Sequence, residues 1–198
     1  MILHLITSYS RHQNLEPIYY SIINLVQDFK WHIIEGSNKL VGKNSFDFLD
    51  DDHRVVFYKT KITSPFGHEQ KNFFIENVKG KPNDWCHYLD DDTTLTQDLV
   101  DTLREEDQTD TEVVVLSQKK GLTEQTRLFG KPEYMTLGCV DTGSITLRYR
   151  IAEQHRTCID IQGCDGHYAV DVVNAHNRIV KYFPDRYVRY NTLARRIS

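Results

Sequence analysis

The feature that most constrains this chain is the order strand, helix, strand within its first thirty-five residues. Ile2 to Ile6 is a short apolar run whose length suits a buried central strand. The polar stretch Thr7-Ser8-Tyr9-Ser10-Arg11 follows it. Leu15, Ile18, Tyr19, Ile22, Ile23 and Val26 then recur at helical spacing, so residues 15 to 29 read as an amphipathic helix. Trp31 to Glu35 forms a second strand, closed by the turn signal Gly36-Ser37-Asn38. Such βαβ units build parallel sheets with right-handed crossovers.

The rest of the chain continues the theme. Arg54 to Tyr58 is a third strand, and residues 68 to 79 suggest a helix running up to Gly80. Trp85 to Leu89 is a fourth strand that feeds directly into Asp90-Asp91-Asp92. Leu95, Leu99, Val100 and Leu103 mark another helix, and Val113 to Leu116 is the clearest buried strand. Beyond residue 120 the pattern loosens. Gly138 to Ser144 reads as a loop or strand edge before the alternating Ile145, Leu147 and Tyr149, and residues 165 to 176 read as helical. The tail is basic and aromatic. No repeat or linker divides the chain, so the expectation is one α/β domain over 1–198, with a mostly parallel, Rossmann-like central sheet flanked by helices.

Composition excludes several classes. At 198 residues, 39% hydrophobic and 26% charged, the chain can bury a core without staples. Net charge is −4 and the basic residues are scattered apart from Arg195-Arg196, so no track for a nucleic-acid backbone is present. Cys86, Cys139, Cys158 and Cys164 form no C-x-x-C pair, and free thiols in a reducing compartment are expected. The first residues lack the basic start of a signal peptide, and no stretch approaches the ~20 apolar residues of a membrane span. A cytoplasmic location is the expectation.

Two acidic runs, Asp50 to Asp52 and Asp90 to Asp92, each follow an aromatic-Leu pair, Phe48-Leu49 and Tyr88-Leu89. The first sits in a polar stretch before a strand and reads as a solvated loop or helix cap. The second stands at the carboxyl end of a strand, where open α/β sheets bind ligands. Adjacent carboxylates repel, and hard oxygen donors suit Mg2+ or Mn2+ held jointly by protein and substrate phosphates.

At this point the residues resemble the nucleotide-sugar glycosyltransferases of the GT-A fold. Tyr88-Leu89-Asp90-Asp91-Asp92-Thr93 resembles their DXD motif, in a form similar to that of the inverting glucuronyltransferases. Leu5 to Arg11 resembles the family's opening strand and loop, with Ser8 in place of a proline. Trp31 to Ser37 resembles the second strand with its terminal acid, and Gly67-His68-Glu69-Gln70-Lys71-Asn72 resembles a G-x-x-x-[RK]-N segment. The likeness covers about residues 2 to 100, which would be the nucleotide and metal half; residues 101–198 would hold the donor sugar and acceptor. As a whole the chain resembles the small glycosyltransferase domains encoded by large algal viruses, a likeness that no discrete motif carries.

The resemblance implies a metal-dependent transfer, with inversion, from a nucleotide-sugar donor (UDP-hexose by default) to an acceptor hydroxyl on a glycan or small molecule. It implies Thr7, Tyr9, Arg11, Glu35 and Asn72 near the nucleotide, Asp90 and Asp91 at ribose or nucleotide, and Asp92 with Asp90 on the metal. It implies Asp141 at the donor sugar and Asp165 as the general base, with Asp160 or Asp171 as other candidates and a helix N-cap as the structural reading of Asp165. His176 is a weaker candidate metal ligand, and Tyr187 and Tyr190 are candidate acceptor platforms. Two other readings remain open. A sugar-phosphate nucleotidyltransferase would be expected to carry a Gly-rich first loop, which is absent; a non-catalytic sugar-nucleotide-binding module would keep the fold without turnover. A phosphatase would need an aspartate at the end of the first strand, and none is there.

Overall fold

A computed structural model describes residues 1–9, 11–36, 49, 52–62, 67–137, 140–157 and 164–193, without the side chain of Tyr9. Expectations resting on Ser10, Ser37, Asn38, Asp50, Asp51, Cys139, Cys158, Asp160 and Arg195-Arg196 lie outside the described residues. Among the described residues eight strands form one sheet: β1 Leu3–Tyr9, β2 Phe29–Glu35, β3 Val55–Lys59, β4 Trp85–Tyr88, β5 Val113–Lys120, β6 Thr126–Leu128, β7 Ile145–Arg148 and β8 Val180–Tyr190. The helices are α1 Leu15–Ile23, α2 His68–Asn77, α3 Gln97–Glu106, α4 Tyr149–Ala152 and α5 Cys164–Ala175.

The strand order is β3-β2-β1-β4-β7-β5-β6, with β8 paired to β5. β1 pairs in parallel with β2 and β4, and β2 with β3. β7 is antiparallel to both β4 and β5, so β5 and its parallel partner β8 point the same way as β1 to β4. Only β6 and β7 run backwards, and the expected mostly parallel sheet is the one found.

Helices cover both faces, which explains why the strands read as continuous apolar runs. One face packs Leu3, Leu5, Trp31, Ile33, Val114 and Leu116 against α1 and α3. The other packs Ile6, Ile34, Val113 and Val115 against Phe74 and Ile75 of α2 and Tyr168 and Val172 of α5. Every one of these residues is at most 3% exposed.

Several features differ from the sequence reading. Helix α1 stops at Ile23 instead of residue 29, because Phe29 is drawn into β2 opposite Leu3. The tail, assigned no element, is the eleven-residue strand β8. Its Pro184 and mixed exposure hide it from pattern reading; the register shifts opposite Leu116 and Ser117, where Ser117 Oγ donates to the Pro184 carbonyl at 2.9 Å. Finally, Cys164 is disulfide-bonded, which corrects the free-thiol expectation for that residue, whereas Cys86 is free and buried. Pairing requires Cα atoms about 4.4–6.8 Å apart, a tertiary condition that spacing does not reveal. Asp52 is tied to Arg54 at 2.7 Å and to the Tyr19 hydroxyl at 2.8 Å, and the Arg54 hydrogen bonds hold it well below the usual carboxylate range. No helix among the described residues is long and apolar enough to cross a membrane.

Three buried histidines sit on the central strands. His4 and His32 stack with centroids 5.2 Å apart, their Nδ1 and Nε2 atoms at 3.0 Å. His87 Nδ1 lies 2.9 Å from Thr146 Oγ1. Burial lowers His32 to about 3 and His87 to about 4. Both stay neutral in the fold but take up protons near pH 6.5 once unfolded. Their contribution is therefore intact above about pH 6.5 and lost as pH falls toward the folded values. Thermal melts at pH 7.5 and 5.0 should show a loss of stability on acidification that is smaller in His32→Gln; an equal loss in the two proteins would contradict a buried neutral His32.

Candidate active site at the carboxyl rim of the sheet

Parallel strands bring their carboxyl ends to one rim, where backbone loops are free to carry function. Here β1 delivers Tyr9 and Arg11, β2 delivers Glu35, and β4 delivers Asp90 to Asp92. The register sets Tyr9 opposite Glu35, so the expected nucleotide-side residues of the first two strands are neighbours on that rim. Because β7 runs backwards, its start lies at the carboxyl ends of β4 and β5. That reversal brings Asp141 and the turn Thr142–Ser144 to the same place. Asp165 arrives in the first turn of α5.

Lys71 ties the late residues together. Its side chain is 5% exposed, and its ammonium donates to Asp165 Oδ1 at 2.6 Å and to Thr142 Oγ1 at 2.7 Å. Thr142 Oγ1 donates to the same Asp165 oxygen at 3.1 Å, and His68 Nδ1 is 3.5 Å from it. Asp165 Oδ2 has no hydrogen-bond partner among the described residues, and the side chain is 38% exposed. One carboxylate oxygen is thus anchored while the other makes no hydrogen bond to the described residues. Burial pushes Asp165 upward, but Lys71, His68 and Thr142 outweigh it and hold it below its ordinary value.

Asp90 has the opposite character. Burial of its carboxyl, reinforced by repulsion from Asp141, Asp165 and Asp92 and opposed by Lys71, pushes it up to about 7. Asp141 is raised chiefly by burial and by Asp165, against the pull of Arg127. Arg127 donates to Asp141 Oδ2 at 3.1 Å and to Gln118 Oε1 at 2.9 Å, and Gln118 Nε2 donates to Asp141 Oδ1 at 3.2 Å. Asp90, Asp141 and Asp165 form one electrostatically coupled group around Lys71.

Arg11 donates from one nitrogen to Asp91 Oδ1 at 2.6 Å and to Asp92 Oδ2 at 2.9 Å. Asn14 Nδ2 donates to the Asp91 carbonyl at 2.8 Å, and Leu193 N–H to the Asp92 carbonyl at 3.1 Å. With its amide turned to donate, Asn191 reaches Asp92 Oδ2 at 2.7 Å. The acidic run is therefore braced from both ends of the chain.

Among the described residues no three His, Cys, Asp or Glu side chains gather closely enough to hold a metal by themselves. The donor set nonetheless fits Mg2+ or Mn2+, which take one or two carboxylates and complete their shell with water and phosphate oxygens. Asp90 is the carboxylate best suited, because a cation there would offset the burial and the repulsion that raise it. Asp92 is 3% exposed and already met by Arg11, so its use as a ligand requires that contact to open.

The remaining expected residues are placed as follows. Thr7 is wholly buried and its hydroxyl accepts from Trp31 Nε1 at 2.9 Å, so its side chain faces the core. Asn72 braces Thr157, donating to its carbonyl and accepting from its N–H, both at 2.9 Å. His176 follows α5 at the end far from Asp165, its N–H on the Val172 carbonyl at 3.1 Å and its Nε2 2.9 Å from His155 Nε2. Asp171 is exposed on the same helix. Tyr187 lies beneath the Lys119 ammonium at 4.0 Å and Tyr190 beneath the Arg127 guanidinium at 3.9 Å. Sequence reasoning missed the bracing by Lys71, Arg127 and Asn191. Lys71 lay inside a segment already singled out, but no local signal reported that its partner would be Asp165.

No protein-family profile matches the chain, and no curated protein does. Solved structures do. The crystal structure of Staphylococcus aureus TarS 1-349 matches with a TM-score of 0.67 at 10% identity, covering 98% of this chain and 59% of that one. The same protein in complex with UDP-GlcNAc matches at 0.62 and 12% identity, covering 98% and 56%. The mannosyltransferase PcManGT from Pyrobaculum calidifontis, in complex with GDP-Man and Mn2+, matches at 0.68 and 9% identity, covering 98% and 58%. This chain spans less than three fifths of each of them. At such identities the likeness is one of fold, and the fold is a GT-A-like glycosyltransferase fold.

Gly67 explains part of the G-x-x-x-[RK]-N segment. It precedes α2 with φ 76°, and a Cβ there would come within 2.4 Å of Ser8 Oγ on β1. Gly67→Ala should cost about 1–3 kcal/mol, the usual scale of left-handed strain. Urea unfolding would measure the loss, and an unchanged midpoint would contradict the close approach of α2 to β1.

Proposed function

We propose that this chain is a glycosyltransferase that takes a nucleotide-sugar donor, UDP-hexose first among the candidates, and transfers the sugar with inversion to an acceptor hydroxyl. The observation that carries the proposal is the meeting of Asp165 with Asp90 and Asp141 around Lys71, since these come from separate parts of the chain and only the fold unites them. The fold's likeness to a structure bound to UDP-GlcNAc and to one bound to GDP-Man and Mn2+ supports the donor class and the use of a divalent cation.

Asp90, with Asp92 once Arg11 swings away, would hold Mn2+ or Mg2+ against the diphosphate. When bound, that cation neutralises charge building on the departing nucleoside diphosphate. Glu35, the backbone of Thr7 and Tyr9, and Asn14 line the nucleotide side of the rim, and Arg11 is free to meet phosphate after release from the carboxylates. Asp141, aligned by Arg127 and Gln118, receives hydroxyls of the donor sugar. Asp165 Oδ2 accepts the proton from the acceptor hydroxyl as its oxygen attacks the anomeric carbon. The bond from that carbon to the phosphate oxygen breaks, and the diphosphate leaves with the electron pair. Lys71 keeps Asp165 ionised and holds Oδ1, which leaves Oδ2 for the acceptor.

Calorimetric titration of UDP should show binding with Mn2+ that disappears with EDTA, and Asp92→Ala should abolish it. Silence toward UDP, GDP, CDP and dTDP with Mn2+ present would sink the proposal. Asp165→Asn should lower transfer by about 10²–10⁴-fold while donor binding persists. Lys71→Met frees Asp165 to rise under burial alone, so the acidic limb of the kcat/KM profile should move to higher pH and kcat should fall. An acidic limb that stays in place would remove Lys71 from control of the base.

A further inference from the structure

On the same rim, beyond Arg127, lies an open cleft of about 470 Å³ lined by Lys120, Gln125, Thr126, Arg127 and Tyr190. Its size falls within the roughly 300–1,000 Å³ range of small-molecule sites. The walls are held by backbone: Lys120 N–H donates to the Gln125 carbonyl at 3.0 Å, and Gly121 N–H to the Tyr190 carbonyl at 2.6 Å. Arg189 adds a bond to the Gly121 carbonyl at 3.0 Å. The β5–β6 hairpin is thereby pinned to the end of β8, and the cleft is formed before anything enters it.

Its charge differs from that of the molecule. The hairpin and the end of β8 carry Lys119, Lys120, Arg127 and Arg189. Against these four cations stand two carboxylates, Glu124 paired with Lys119 and Arg189, and Asp141 paired with Arg127. Lys120 is exposed and has no ion-pair partner among the described residues. A local excess of two positive charges therefore sits on a chain whose net charge is −4. Arg127 forms the wall between this cleft and Asp141, with its guanidinium fixed over Tyr190. In the strand order β5 and β7 lie between β6 and β4, while the chain beyond Tyr190 runs on to Asp92 through Asn191 and Leu193, so the cleft adjoins the donor side of the rim with Arg127 between it and Asp141.

A negatively charged molecule approaching Asp165 would be repelled by Asp90, Asp141 and Asp165 unless its charge were held elsewhere. We propose that the Lys120–Arg127 cleft is an acceptor subsite for an anionic group, a phosphate ester or a sugar carboxylate, on the molecule whose hydroxyl reaches Asp165. The acceptor role rests on the glycosyltransferase reading; the binding of an anion does not.

The test titrates glucose 6-phosphate, glucuronate and glucose separately into the full chain and into Lys120→Glu at low ionic strength, with UDP and Mn2+ titrated in parallel. Lys120→Glu should retain the wild-type circular dichroism, its site being exposed. One of the anions should bind about tenfold or more tightly than glucose, and Lys120→Glu should remove that advantage without changing UDP binding. A stronger response to glucose 6-phosphate identifies a phosphate ester, and a stronger response to glucuronate a carboxylate. Equal binding of all three, binding of none, or an advantage that survives Lys120→Glu overturns the proposal. UDP binding without anion discrimination removes the cleft alone, whereas anion discrimination without UDP binding removes the transferase reading and leaves the cleft.

Discussion

The backward strand β7 is the constraint on which the rest of this structure depends. It sits between β4 and β5 and is antiparallel to both, in a sheet whose other long strands share one direction. Had β7 run parallel to its neighbours, its leading loop would lie at the amino rim, away from Asp90. Reversed, it presents Asp141 and Thr142 at the carboxyl rim, and Thr142 meets Lys71 and Asp165 there. The ladder thus decides which polar loops converge.

Convergence of carboxylates has an electrostatic cost, and the rim meets it in three ways. Lys71 compensates Asp165, Arg127 compensates Asp141, and Arg11 spans Asp91 and Asp92. Asp90 has no ion pair of its own among the described residues, and burial first, then the neighbouring carboxylates, push it up to about 7 against the pull of Lys71. A cation bridging to phosphate fits this deficit. At the opposite end of the sheet, Arg148 shows the structural use of a buried charge. It lies 3.8 Å over Trp85 and 3.0 Å from Asp107, with its other nitrogens on backbone carbonyls. There every donor has an acceptor, and no carboxylate is left in excess.

Much of the first half was legible from residue order. The run Ile2 to Ile6 predicts β1, and β4 leading into Asp90 to Asp92 is visible because Trp85 to Leu89 is apolar and ends abruptly in charge. Less was legible beyond residue 120. Strand β8 alternates poorly and contains Pro184, so its identity depends on its pairing with β5. Thr7 and Asn72, expected beside a nucleotide, have their side chains engaged by Trp31 and Thr157. A motif locates a residue along the chain but does not say which way its side chain points.

By itself the sequence determined the class of fold and the position of the acidic run, because hydrophobic period and strand ends are local properties that any short window records. Only the tertiary structure decided that Lys71 would anchor Asp165, that Arg11 would hold Asp91 and Asp92, and that Lys120 and Arg127 would share a cleft. Lys71 with Asp165 and Arg11 with Asp91 and Asp92 are contacts between residues far apart in the chain, and the hairpin that carries Lys120 and Arg127 becomes a cleft wall only against Tyr190. Their partners are chosen by strand order, strand direction and the helices packed across the sheet, and none of these is written in the spacing of the residues themselves.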